Sequence, residues 1–450
     1  MKKGMFFALA ASSLLFSACS SDDAVVSTEG QNEAVQQIVL QVASSGDGLT
    51  TRAGRPLYSS QALQTIQHVC VVIYKDDAAK TIVKKVKKAW TESSTYGNHG
   101  RQLTLTFKGN DRLEKGDYKV MAVGYSDNSD YNYSLDVTSD AALSGTYSDI
   151  TATLKANKEA EEVFAGDAEL KIGVDKNITN FTSGEKNGVA VTLHRQVAGS
   201  FGYFSNIPAK VGEKTAATLR LVVRDKNDVL TFNNFNSSFT ANGAPGSTIK
   251  YCVNGSTSTG APLATTDKFS NGDNGYVLYS IDLKKWFPQL DENGDGVLNA
   301  QDVSWKRPDD VKTQVVKGSV FGSNFVIPFK YTEGKNTMEL QLLDAENNII
   351  KTWTVSIPES DVNHDGNKGL TDASNSIFNV VRNHMYNLGV KTSNGTTDPD
   401  PSNPTPDPDP DPKPTPDPGK DEPEDLTKSQ NLILKVNDNW EAIHKMELGD

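Results

Sequence analysis

Residues 291 to 302 read Asp-Glu-Asn-Gly-Asp-Gly-Val-Leu-Asn-Ala-Gln-Asp. Side-chain oxygens stand at Asp291, Asn293, Asp295 and Asp302, the first, third, fifth and twelfth places of a calcium loop, with Gly296 at the turn and the Val297 carbonyl in seventh place. An all-oxygen set at this spacing suits a hard cation, so the stretch predicts a structural Ca2+ site; a metal-free Asp/Asn/Gly surface turn is the plainer alternative. A second run, Asp361, Asn363, Asp365 and Asp372 with Gly366 at its turn, opens the same way but has Lys368 where the apolar eighth residue belongs. Catalytic groupings are scarce. His68 and Cys70 share one face of an apolar strand without a third, orienting group, and Glu161-Glu162 and Asp309-Asp310 read as solvated loop charges. No catalytic residue is assigned, and the chain is not read as an enzyme.

A different chemistry is suggested by one peptide bond. Arg52-Ala53 lies in a Gly/Ser/Thr-rich stretch directly after an alternating apolar segment, Ala34 to Val42. There Ile38, Leu40 and Val42 point one way and Val39 and Gln41 the other, the period-2 pattern of a strand with one buried face. A protease acting after Arg52 would detach the strand, about Gln37 to Ala43, and leave a groove with unpaired backbone groups. An ordinary edge strand followed by one loop arginine is the plainer reading. A second apolar stretch lies between Asn431 and Asp450, with Leu432, Leu434 and Val436 on one face and Trp440, Ile443 and Met446 beyond. The expectation is that this second strand replaces the first, between molecules.

The elements that must position these residues begin with an export signal. Residues 1–18 have a basic start and an apolar run too short to span a bilayer. Phe16-Ser17-Ala18-Cys19 resembles a bacterial lipobox with Cys19 as the lipidated residue, and Ser20-Ser21-Asp22-Asp23 resembles the acidic surface-export signal of Bacteroidetes lipoproteins. An acyl anchor at the outer membrane follows, in place of a membrane span. Cys70 and Cys252 are the other cysteines, which excludes a disulfide framework and leaves two buried thiols or one long-range bridge. The formal charge of -12 is concentrated between Asp398 and Asp425, where eight Asp and two Glu face two Lys. The remainder is close to neutral and has no basic stripe, so nucleic acid is excluded as a partner.

Beyond Arg52 the pattern is strand after strand. Ile66 to Tyr74, Thr81 to Val86, Gln102 to Phe107, Asp117 to Tyr125, Thr151 to Leu154, Val163 to Ala165 and Val189 to Leu193 are rich in Val, Ile, Thr and aromatics, with polar turn clusters between them. Alternation resumes at Leu219 to Val223, Met338 to Leu342 and Trp353 to Ile357. Helical periodicity is nearly absent, which predicts an all-β chain of two tandem antiparallel β-sandwich domains. The expected division is a lipidated propeptide over 19–52, sandwiches over 53–208 and 209–393, an Asp/Pro-rich linker over 394–430 and a donor segment over 431–450. Thr396 to Glu424 holds 11 of the 19 prolines and is expected to be an extended spacer. At about 3.1 Å per residue it would reach roughly 80 Å.

Several strings together, namely the lipobox with Ser20 to Asp23, Thr51-Arg52-Ala53, EVFAG from Glu162, VTLHRQVAG from Val191, RNHMY from Arg382 and LILKVNDNW from Leu432, resemble the FimA-type fimbrial subunits of Bacteroidetes, the type V pilus proteins. The resemblance samples nearly the whole chain, although a long Asp-Pro spacer is no part of the stalk-subunit pattern. It implies two transthyretin-like sandwiches, removal of the lipidated leader after Arg52 by an arginine-specific or trypsin-like protease, Ala53 as the new N-terminus, and polymerisation with other fimbrial subunits by strand exchange through Leu432, Leu434, Val436 and Trp440. The implied role is a surface-exposed structural and adhesive fimbrial subunit. The alternative is a cell-surface lipoprotein that binds glycan or a host ligand without polymerising.

Overall fold

The computed structural model describes residues 35–42, 66–90, 102–181, 188–233, 235, 253–309, 311, 315–330, 338–356, 371–372, 377–383, 385–390, 421–428 and 431–437. The expected signal peptide, Cys19, Arg52, Ala53, Cys252, Asp361, Asn363, Asp365 and Trp440 lie outside them. The β-branched and aromatic runs of the first half form β1 (Gln36–Val42), β2 (His68–Lys75), β3 (Ile82–Ala89), β4 (Gln102–Phe107), β5 (Gly116–Tyr125), β6 (Tyr131–Tyr133), β7 (Thr151–Leu154), β8 (Phe164–Ile172), β9 (Gly188–Arg195) and β10 (Ala198–Ser205). The second half supplies β11 (Thr218–Val223), β12 (Val229–Thr231), β13 (Tyr276–Asp282), the one-turn helix α1 (Leu283–Trp286), β14 (Ser319–Val326), β15 (Met338–Leu343), β16 (Ile349–Ser356), β17 (Met385–Leu388), β18 (Asn431–Ile433) and β19 (Lys435–Asn437). The chain is all-β, as its alternation requires.

Seven strands in the order β3-β2-β5-β8-β9-β1-β4 make the main sheet of the first sandwich. β8 and β9 pair only through Phe164 with Arg195 and Ala165 with His194, and there the sheet turns back over itself. Val69, Val71 and Ile73 of β2 therefore share one core with Ile38 and Leu40 of β1, Leu103, Leu105 and Phe107 of β4, and Val189, Val191 and Leu193 of β9. The alternate residues of β2, Cys70, Val72 and Tyr74, enter a second core with Met121, Val123, Ala152, Leu230 and Phe232. β2 is buried on both faces because a layer lies on each side of it. The fold-back requires close backbone contact: a Cβ on Gly166 would lie 1.9 Å from the Thr192 carbonyl oxygen. Gly166→Ala is expected to destabilise the chain by about 1–3 kcal/mol, read as a lower denaturant midpoint at unchanged slope.

The second layer of the first sandwich corrects the expected boundary at 208. β12 pairs antiparallel with β7, and Gly255–Ser256 pairs with β12, so a piece of the second half completes the first sandwich. Conversely β10, on the near side of that boundary, pairs antiparallel with β14 and parallel with β17 of the second sandwich. The crossover lies at Gln196-Val197, between β9 and β10, and the two domains are interlocked where tandem, purely antiparallel units were expected.

In the second sandwich, β13-β11-β15-β16-β18 and β14-β10-β17-β19 enclose a core that includes Trp286, Trp353, Tyr203, Tyr386, Leu426, Leu432 and Leu434. The expected free linker and detached donor segment are thus corrected in part. Val390 and Glu422 exchange two backbone hydrogen bonds at 2.8 and 2.9 Å, so these two positions on either side of the expected linker meet. Beyond it, the Leu426 side chain is fully buried, and Asp421 accepts a hydrogen bond from the Tyr203 hydroxyl at 3.2 Å. Leu426, Leu432 and Leu434, beyond that pairing, belong to the sandwich core.

Candidate functional site

β1 occupies an interior position. It runs parallel to β9, with Ile38 opposite Val189 and Leu40 opposite Val191, and antiparallel to β4, with Ile38 opposite Leu105 and Leu40 opposite Leu103. Ile38 and Leu40 point into the core as the alternation predicts. Val39, expected to face solvent, is only 1 % exposed, and Gln41 alone keeps that role. Among the described residues β4 reaches the sheet solely through β1. Taking β1 away would therefore remove three buried apolar side chains worth about 2 kcal/mol each and strand a second strand as well.

Sequence reasoning passed over the residue that pins β1. Gln36 is buried, and its amide clasps the backbone of Leu113: Nε2 donates to the Leu113 carbonyl at 2.9 Å, and the Leu113 N–H donates to Oε1 at 2.7 Å. The same Nε2 reaches the Lys176 carbonyl at 2.8 Å. A glutamine at the head of a strand gives no sequence signal, because its partners lie 77 and 140 residues away.

The C-terminal strand is seated on its own chain. β18 pairs parallel with β16, Leu432 opposite Val355, and β19 pairs antiparallel with β17, Val436 opposite Tyr386. Leu432 and Leu434 are buried among Trp353 and Tyr386. Its approach is tied by Asp425, which accepts from Asn206 Nδ2 at 2.7 Å, Thr427 Oγ1 at 2.6 Å and Lys428 Nζ at 2.8 Å. Burial pushes the Asp425 carboxyl up, but the hydrogen bonds from Lys428, Thr427 and Asn206 outweigh it and hold it at about 2. A depressed carboxyl contributes stability above its ordinary range, near pH 4, and loses it as pH falls toward 2. Pepsin is accordingly expected to cut beside Leu426 at pH 2 and not at pH 4, and Asp425→Asn to abolish that pH step.

Three of the strings noted in the sequence meet where the sandwiches cross. Arg195 Nε donates to Glu162 Oε1 at 2.5 Å, and its Nη1 donates to Asn383 Oδ1 at 2.9 Å. All three residues are buried, and the Arg195 guanidinium lies 4.9 Å over the Phe164 ring. Gln196 Nε2 donates to the His194 carbonyl at 2.6 Å, Asn254 Nδ2 donates to Gln196 Oε1 at 3.1 Å, and Arg382 Nη1 donates to the Asn233 carbonyl at 3.0 Å. EVFAG, VTLHRQVAG and RNHMY thus contribute to one polar junction. Glu161 and Glu162, expected as solvated charges, are engaged: Glu161 accepts from Ser126 Oγ at 2.8 Å and the Asp130 N–H at 2.8 Å.

The Asp291–Asp302 loop closes on its own hydrogen bonds. Asp302 is fully buried and accepts from the N–H groups of Glu292 and Asn299, each at 2.9 Å, while Asp291 accepts from the Gly296 N–H at 2.9 Å. Asn299, Val297 and Asn293 all donate to Asp295, lowering its carboxyl. Gly294 and Gly296 hold the positive φ values the turn needs. Among the described residues no three His, Cys, Asp or Glu side chains converge as metal ligands. Asp291, Asn293, Asp295, Val297 and Asp302 all lie in this described loop, and of the second loop only the backbone of Asp372 is described. Asp302→Ala should cost about 2–4 kcal/mol, since two backbone donors lose a charged acceptor. The measurement is chemical unfolding in the presence of chelator.

His68 and Cys70 do not form a site. His68 Nε2 pairs with Asp127, whereas the Cys70 thiol is free and buried in the second core, where burial pushes it up to about 12.

The geometry defines a class of protein: an all-β chain of two interlocked sandwiches in which one N-terminal and one C-terminal strand each complete a sheet. Solved structures similar to it are fimbrial and adhesion proteins of Bacteroidetes. The fimbrial anchor protein Mfa2 of Porphyromonas gingivalis is 8% identical, with a TM-score of 0.35 over 79% of this chain and 90% of that one. A fimbrial assembly protein of Parabacteroides distasonis is 15% identical, with a TM-score of 0.30 over 80% and 92%. A Bacteroides ovatus protein provisionally designated an adhesin is 13% identical, with a TM-score of 0.37 over 79% and 89%. No protein-family model matches the chain, and no curated protein does.

Proposed function

We propose that the chain is a structural and adhesive subunit of a cell-surface fimbrium, exported as a lipoprotein through Cys19, activated by proteolysis after Arg52 and polymerised with other subunits by strand exchange. One observation carries this reading: β1 fills an interior place in the main sheet, between β9 and β4, yet the only covalent link from it to β2 is the segment that contains Arg52. A single cut there leaves β1 held by side-chain burial and backbone pairing alone. Its departure opens a slot flanked by two strands, which favours a replacement strand over simple exposure of an edge. The seat of Leu432 and Leu434 on their own sandwich adds a step, since this strand must leave its seat before it can serve another subunit.

The test is mild trypsin treatment of the full-length protein. Arg52-Ala53 is a cleavable bond, while Arg55 precedes Pro56 and resists. The expected result is one early cut giving Ala53 as N-terminus, followed by ladders that survive SDS and collapse on boiling. Trimmed protein that stays monomeric would sink the proposal.

A further inference from the structure

We infer that the Gln36 side chain is a positional key for the slot that β1 fills, and that Gln430 carries the same key, so that Gln430 to Val436 of a second copy takes the register of Gln36 to Val42. This rests on the strand-exchange reading above and adds which residues enter and where they stop.

The two segments read Gln-Gln-Ile-Val-Leu-Gln-Val and Gln-Asn-Leu-Ile-Leu-Lys-Val. Glutamine heads both, and leucine and valine recur at the fifth and seventh places. Apolar residues at the third, fifth and seventh places give one face, Ile38, Leu40 and Val42 in one segment and Leu432, Leu434 and Val436 in the other. Gln67 heads a third such run, but β2 is antiparallel to both its neighbours. β1 has a parallel neighbour, β9, and an antiparallel one, β4. On its own sandwich the C-terminal segment pairs parallel through β18 at the edge of one sheet and antiparallel through β19 at the edge of the facing sheet, so it accepts strand partners of both directions, each through different residues.

The slot fixes where an incoming strand must stop. Once β1 leaves, the Leu113 N–H and carbonyl, both paired with Gln36, lose their partner in a buried place. Only a side chain with adjoining donor and acceptor, an amide, satisfies both at once. Displacement by one residue turns every inward side chain outward, and displacement by two puts an apolar or lysine side chain against Leu113. With Gln430 at Leu113, Leu432 lies between Val189 and Leu105, and Leu434 between Val191 and Leu103.

Position 433 then takes the place of Val39, whose parallel partner is Ala190. In the full-length chain trimmed by trypsin, Ile433→Cys with Ala190→Cys is expected to give ladders that survive boiling until reductant is added. Lys435→Cys with Ala190→Cys should give ladders that collapse on boiling; single-cysteine variants control for Cys70 and Cys252. Gln430→Leu is expected to slow ladder formation at least about tenfold, as the two buried Leu113 groups are left without partners at the slot. Ladders cross-linked through position 435 and not 433, a cross-linked monomer, or Gln430→Leu assembling at the unmodified rate would overturn the key and its register while strand exchange stood. Absence of ladders from the trimmed, unmodified chain would remove strand exchange itself, and this inference with it.

Discussion

Replacing Glu162 with alanine is expected to lower the stability of the full chain by about 3–5 kcal/mol, because it leaves the Arg195 guanidinium buried without its carboxylate. Arg195 and Glu162 are both almost wholly enclosed, at 5 % and 1 % exposure, so solvent cannot take over the lost charge. Arg195 also donates to Asn383, whose own N–H donates to the Val197 carbonyl at 2.9 Å, so the disturbance reaches the second sandwich directly. Glu162→Leu combined with Arg195→Met should cost less than Glu162→Ala alone, since burying two apolar chains avoids the unpaired charge. Chemical unfolding of the two variants decides the matter. A loss below about 1 kcal/mol for Glu162→Ala would mean that water or another group reaches Arg195 and that the junction does not weld the sandwiches.

The same junction shows what the sequence could and could not convey. EVFAG, VTLHRQVAG and RNHMY are conspicuous as strings, but Arg195 and Asn383 are 188 residues apart, and nothing in either string points to the other. A glutamate pair looks like solvated surface until its partners are known, because buried carboxylates are exceptional and are intelligible only as members of a network. Strand positions, by contrast, were legible almost residue by residue. Gln102–Phe107 and Thr151–Leu154 fall where alternation puts them, since a pleated strand with one buried face writes its period into the chain. Long-range pairing leaves no such trace. The boundary expected at 208 failed because β10 and β12 are each short apolar runs that suit either sandwich, and only the sheets they join distinguish them. The meeting of Val390 with Glu422 likewise depends on residues that have no unusual composition. The Asp291–Asp302 spacing illustrates the opposite case: a string legible on its own, whose carboxylates meet N–H groups of the same loop.

Gln36→Leu is expected to destabilise β1 in the intact precursor by about 2–6 kcal/mol, counting two buried backbone groups of Leu113 at about 1–3 kcal/mol each. The Lys176 carbonyl, its third partner, keeps a donor in Arg112 Nη2 at 2.7 Å, and so adds little. The loss should be local. β4 is joined to the sheet only through β1 among the described residues, so amides of Gln102–Phe107 and of Gln36–Val42 are expected to exchange faster together, while β2 and β5, each paired on both sides, keep their protection. Gln36→Glu separates the key from mere volume: it retains an acceptor for the Leu113 N–H but sets a carboxylate against the Leu113 and Lys176 carbonyl oxygens, and should open the same two strands more than leucine does when it is ionised. Hydrogen exchange followed by mass spectrometry reads both variants. Uniform acceleration across the first sandwich would show that β1 is integral to its folding and not a separable strand, whereas paired opening of β1 and β4 alone is what a replaceable strand requires.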